Sequence, residues 1–403
     1  MPQASGVFKQ LTYKVEATYG VVPAAASAQS LRRVTSDLDL RKQTYQSNEI
    51  RTDQQMQDMR HGVRSVEGTL AGELSPGTYA DWIDAALRRD RTIGVSAASV
   101  GLTIAGTGPT YTVTRAAGSY LTDGFKRGDV IRLSVGGLNA NNLAKNLLIV
   151  TLTATIATVR VVNGSTLTAE GPIAGCTVSV VGRKTFAPAN GHTNRSFSVE
   201  HWFSDVPASE VFTGCQPTQI DLQLPPTGLS TISIGVMGQN VVAAGSQYFT
   251  SPLAATTTGL TAAVNGVVLV GGVAVAVLTG LTLNIQSNRS GDPVVGSNVI
   301  PTRFPGRILV SGQATAYFDD ATFRDAFLNE TEVEIIVVLT SDNSAASQFI
   351  SFVLPRCKLG GSSKSDGEGG IVQTIPFTAL LPITGGAGIA NELTTISVQD
   401  SAA

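Results

Sequence analysis

In Gln219–Leu224 (QIDLQL), Ile220, Leu222 and Leu224 fall on one face of an extended chain and Gln219, Asp221 and Gln223 on the other. Alternation with a period of two is the mark of a strand with one face in a core and one in water. Further strands are read at Ser196–Phe203, Thr231–Met237, Leu281–Gln286, Arg307–Phe318 and Glu332–Thr340, most of them with the same alternation. A chain built this way buries its apolar residues by stacking sheets. The predicted class is therefore mainly β.

Only two segments carry a helical signal. Tyr79–Arg89 follows Ser75-Pro76-Gly77-Thr78, has its acids early and its arginines late, and gathers Trp82, Ile83, Ala86 and Leu87 on one side. Ala321–Asn329 follows Asp319 and Asp320, which are N-cap candidates, and is expected to turn Phe323, Phe327 and Leu328 inward.

Between them, residues 95–183 form a string of short strands (Tyr111–Arg115, Asp129–Val135, Leu147–Leu152, Thr155–Val162, Cys176–Val181) with turns at Asp123–Asp129 and Asn139–Asn142. They read as an inserted small β-barrel or sandwich. Residues 1–94 and 184–403 then form the main domain. Its arm, 1–30, is expected to be extended, and 37–62, rich in Arg, Gln and Asp, to be one long polar loop. The apolar run Val267–Leu278 is too short for a membrane span and, interrupted by Gly271 and Gly272, predicts a buried strand with a bulge or bend.

Charge and motifs narrow the function. With 28 basic and 30 acidic residues among 403, the chain lacks the basic footprint of a nucleic-acid binder. Charged residues are only 14%, which suits sheets and protein–protein contact. No nucleophile elbow, phosphate loop, H-E-x-x-H or C-x-x-C occurs, so no enzyme chemistry and no cofactor are expected. Cys176, Cys215 and Cys357 are odd in number and far apart, as expected of buried free thiols. His192 and His201 match no zinc spacing. Asp37-Leu38-Asp39 and Asp366–Gly370 read as acidic turns rather than calcium loops, and the Asn-x-Ser/Thr triplets at Asn163, Asn194, Asn288 and Asn329 carry no function. The opening residues show no signal peptide, so folding in a cytoplasm is expected.

The densest charge feature is Asp319, Asp320, Asp325, Glu330, Glu332 and Glu334. Its plain reading is a helix cap and a solvated strand face. Its sharper reading makes Glu332 and Glu334 part of an acidic channel wall that repels phosphates. Trp202 is expected in the core, although Trp202 or Tyr120 stacking on a sugar ring would fit an adhesion protein.

Asn48-Glu49-Ile50-Arg51-Thr52-Asp53-Gln54-Gln55, then Gly68–Leu74 and Trp82–Leu87, resemble the tail tube proteins of long-tailed bacteriophages, where a polar loop leads to G-x-L-x-G-E-L and a short helix. Asp123-Gly124-Phe125, Gly128–Arg132 and Asn141-Asn142 resemble the β-insertion of such proteins, and Val372–Leu380 their closing strand. The resemblance implies a tail-tube-type β-sandwich or barrel flanked by two short helices, forming hexameric rings that stack into a hollow tube in the virion tail, with the insertion outside. It implies assembly in the host cytoplasm, tape measure, tail terminator and tail tip proteins as partners, and non-specific passage of DNA. Arg41, Asn48, Glu49, Arg51, Asp53 and Gln55 are the expected subunit-interface residues. The other readings are a tube of a contractile tail or secretion-type injection system and a β-sandwich adhesion or carbohydrate-binding tail protein.

Overall fold

The computed structural model of the chain describes residues 3–275 and 277–403. The strand Ala208–Leu224 organises it. The first half pairs with Phe197–Phe203 and Asn240–Ala244, and the second with Thr231–Gly238 and Leu278–Gln286. The change of partners falls at Gly214, whose φ of +66° is left-handed and whose missing Cβ leaves room for Gln239. One continuous strand is thus shared by two packed sheets.

The larger sheet runs Asp39–Gln46, Met59–Glu73, Thr231–Gly238, Ala208–Leu224, Leu278–Gln286, Leu309–Tyr317, Val372–Ala379, all antiparallel. Its inward face is the alternation seen in the sequence: Val66, Leu70, Ile232, Ile234, Ile220, Leu222, Leu283 and Ile285 are all buried in one cluster. Lys9–Val15, Phe197–Phe203 and the helix Ala80–Leu87 close the opposite side. Trp82 of that helix lies 4.4 Å from Phe197 and 5.6 Å from Tyr13, centroid to centroid, and Ile83, Ala86 and Leu87 are buried as expected. Burying such rings contributes several kcal/mol each.

Between Ser96 and Val180 six strands close into a barrel, in the order Leu147–Leu152, Ile156–Val161, Thr110–Arg115, Ser96–Thr107, Glu170–Val180, Val130–Ser134. Closure removes every free edge. Leu102, Val113, Tyr120, Phe125, Leu133 and Ile149 fill the interior. A separate apolar cluster joins the barrel to the main domain, with Val130, Leu148 and Val162 against Leu269, Ile336, Val338 and Phe349. Polar bonds frame this seam. The Gln399 amide accepts from Val130 N and donates to Val130 O and Val181 O, each at 2.8 Å, while Lys184, mostly covered, meets the buried Asp129 at 2.5 Å.

Several expectations need correction. Residues 37–62 are largely a β-hairpin, Asp39–Gln46 against Met59 onward, with a turn over 47–58. Its outer part is wet on both faces, so no alternation marks it. The arm 1–30 is not simply extended, because Lys9–Val15 is a sheet strand with Leu11 and Tyr13 in the core; Met1 and Pro2 lie outside the described residues. Val267–Leu278 begins as a hairpin, Val267–Val270 against Val273–Ala274, turning on the positive-φ pair Gly271-Gly272, and Ala276 lies outside the described residues. The helix over Thr322–Leu328 buries none of its residues; Phe327 and Leu328 face outward.

Candidate assembly surfaces

The outward face of the larger sheet is built from the residues that alternate with the core. One row across the strands is Ala71, Ser233, Asp221, Asn284, Ser311, Thr378; the next is Glu73, Thr231, Gln223, Thr282, Gln313, Pro376. From Thr231–Gly238 to Val372–Ala379, Asp221 is the single charge pointing outward among the described residues, and no lysine or arginine joins it. The Asp221 carboxylate accepts from Gln219 Nε2 at 2.6 Å and from Asn284 Nδ2, so two amides hold it in the sheet plane. A hydroxyl and amide surface of this kind offers phosphate no counter-charge.

The hairpin is the second surface. Arg41 lies on its first strand and meets Glu67 at 3.3 Å. At the tip Arg51 grips Asp53 at 2.8 Å and donates to Gln57 at 2.6 Å, and Gln55 N donates to Asp53 at 3.3 Å. This turn orders itself locally, and the Arg51 guanidinium holds the Asp53 carboxyl below its ordinary range. Asn48 and Glu49 are exposed beside it. The residues singled out from the sequence thus gather on one projection, except Arg41, which sits on its stem.

Glu332 and Glu334 do not present free carboxylates. Glu332 is paired with Arg356, and Glu334 is buried against Arg127 of the barrel at 2.6 Å. Burial raises the Glu334 pKa, opposed by Arg127. Sequence spacing placed the two acids together but showed nothing of the arginines that meet them.

The remaining candidates are structural. His201 is buried with Nε2 2.7 Å from Ser36 Oγ, and burial, helped by Lys9 and Arg33, lowers its pKa to about 3. All three cysteines are free and buried; burial pushes the Cys357 thiol up to about 12. Tyr120 is buried inside the barrel beneath Arg115, out of reach of a sugar. Trp202, expected in the core, is half-buried on Phe197–Phe203. No group of three or more metal-ligating side chains occurs among the described residues, and no described helix is long and apolar enough to cross a membrane.

A sandwich with a wet, nearly uncharged sheet face, an edge strand paired on one side only and a projecting hairpin defines a structural β-protein. A family model described as phage tail tube protein matches residues 9–379, and the chain belongs to that family. No curated protein matches it. Membership makes the chain a structural component of a phage tail and implies a non-enzymatic protein.

Proposed function

We propose that this chain forms hexameric rings that stack into the hollow tail tube through which phage DNA reaches the host, with the hydroxyl and amide sheet face turned to the lumen. The carrying observation is that face: across five strands its one outward charge is Asp221, and charge returns only at the flanking strands, with Glu73 on one side and Lys358 beside Thr378 on the other. A duplex slides past such a wall without releasing counterions, so it is not held. A ring of six Asp221 carboxylates would add weak repulsion at one height.

The one-sided pairing of Asp39–Gln46 leaves backbone donors and acceptors for a neighbour, which supports head-to-tail closure of a ring. Tape measure, terminator and tip proteins would contact the same tube during assembly in the host. Negative-stain electron microscopy of the concentrated protein, with averaging, tests this reading. Stacked rings with a central hole are expected; particles lacking a hole, or a persistent monomer even with tail-tip protein present, would overturn it.

A further inference from the structure

The turn Asp123–Asp129 leads into the barrel strand Val130–Ser134, and after the barrel the chain rejoins the main domain at Arg183–Phe186. Across the seam between them Lys184 Nζ lies 2.5 Å from Asp129 Oδ1 and 3.4 Å from Glu392 Oε2. None of the three side chains is more than 16% exposed. They come from three separate stretches of chain, so no sequence motif marks them.

The trio is sealed by the segment 383–395, which folds onto the turn. Arg127 N donates to Ala390 O at 2.8 Å, the Lys126 amine donates to Ile389 O at 2.6 Å and to Gly386 O, and Ala390 packs on the barrel core. Lys126 N donates to Asp129 Oδ2 at 2.9 Å, which fixes the carboxyl and leaves Oδ1 to the lysine.

That the cation is a lysine is what gives the trio its chemistry. The buried acids Asp84 and Asp400 are met by Arg91, and Glu334 by Arg127. A guanidinium keeps its proton and is no nucleophile, whereas an amine that has lost its proton is one. Burial disfavours both charged forms of a Lys–Asp pair and raises the Asp129 pKa. Burial also acts to lower the Lys184 pKa, but the Asp129 and Glu392 carboxylates outweigh it and hold it raised. The reactive pair is therefore a minor neutral form, reached when one proton passes from Nζ to the Asp129 carboxyl.

The geometry points to an amide bond between Lys184 Nζ and Asp129 Cγ, formed by the folded chain itself with Glu392 as proton carrier. Cγ is bonded to an oxygen already 2.5 Å from the nitrogen, which brings it close to the roughly 3–3.5 Å of a reactive approach. The Nζ lone pair attacks Cγ, and Glu392 takes a proton from the nitrogen and delivers it to the departing oxygen. One N–C bond forms and one C–O bond breaks. The ammonium and the carboxylate become one amide and one water, with no oxidant, reductant or cofactor. Only the unreacted chain keeps Asp129 as a titrating acid. The bond staples the barrel to the first main-domain strand that follows it, and it does not depend on ring assembly.

The test is intact-mass spectrometry of the purified, denatured full chain, followed by digestion with trypsin. A mass lower than that of the sequence by one water is expected, with a branched peptide joining Gly128–Arg132 to Lys184–Arg195. Full mass after the folded protein has stood for days at neutral pH, with Gly128–Arg132 released free and cleavage after Lys184, would overturn the bond. Loss of a water with those peptides still separate would overturn it too, since it marks ring closure at an Asp-Gly step such as Asp366-Gly367. Lys184→Arg keeps the ion pair and is expected to restore full mass; a persisting water loss in that variant would place the linkage elsewhere. Glu392→Gln is expected to slow bond formation about 100-fold or more, and a variant that reacts as fast as wild type would overturn the role of Glu392.

Discussion

His201 shows how one buried side chain ties stability to pH. It packs edge-on to Phe212 at 4.9 Å, accepts or donates one bond at Ser36, and stays neutral because burial and two nearby cations disfavour its charge. Its pKa falls from 6.5 to about 3 on folding. The unfolded chain therefore binds the proton first as pH drops, so the stability contributed by this histidine is complete above pH 6.5 and is lost progressively down to pH 3. Between pH 7 and 4.5 the loss from this group is about 2–3 kcal/mol. Replacing it by His201→Gln should flatten the acid limb, and urea midpoints at the two pH values would show this. Parallel slopes for wild type and variant would disprove the assignment. Asp84, Asp129 and Asp400 act with opposite sign: burial raises their pKa values, so each binds its proton more tightly when folded and softens acid unfolding.

At the scale of elements, the outer hairpin stands apart from the core. Its turn packs only on itself, through Arg51, Asp53 and Gln57. Replacing Ser47–Asp58 by Asn-Gly, a two-residue turn suited to a hairpin, should leave the urea midpoint unchanged. A lowered midpoint would mean that the turn supports the monomer fold. The hairpin is also where sequence reading failed, for a physical reason. Strands such as Gln219–Leu224 are legible because one face is core, whereas the outer hairpin is solvated on both faces and displays only composition. Lys9–Val15 was hidden differently: only Leu11 and Tyr13 point inward from it, too short a run for periodicity. Phe323, Phe327 and Leu328 showed a true amphipathic pattern, but a period reveals that a face is apolar without revealing whether its cover belongs to the same chain. The polar sheet face was legible residue by residue; its near-neutrality as a surface emerged only once register aligned five strands.

At the scale of the whole molecule, the barrel is fixed rather than tethered. Val130, Leu148 and Val162 share a core with Ile336, Val338 and Phe349, and Gln399 bridges both bodies with three bonds. Gln399→Ala leaves the buried Val130 N without its partner, while Val130 O still accepts from Val181 N, and should cost about 1–3 kcal/mol for the orphaned donor. Because the seam is continuous, main domain and barrel should lose that stability in one transition; calorimetry resolving two transitions in the wild type would show the bodies to be independent. The strand Ala208–Leu224 adds something of another kind. It enters one sheet and leaves through the other without a chain break, so tension applied to either sheet travels along covalent backbone into its partner. Shearing the layers apart then requires unzipping a ladder of hydrogen bonds, not sliding one greasy surface over another, and a wall made of such units resists stretch as a woven fabric does, through its threads.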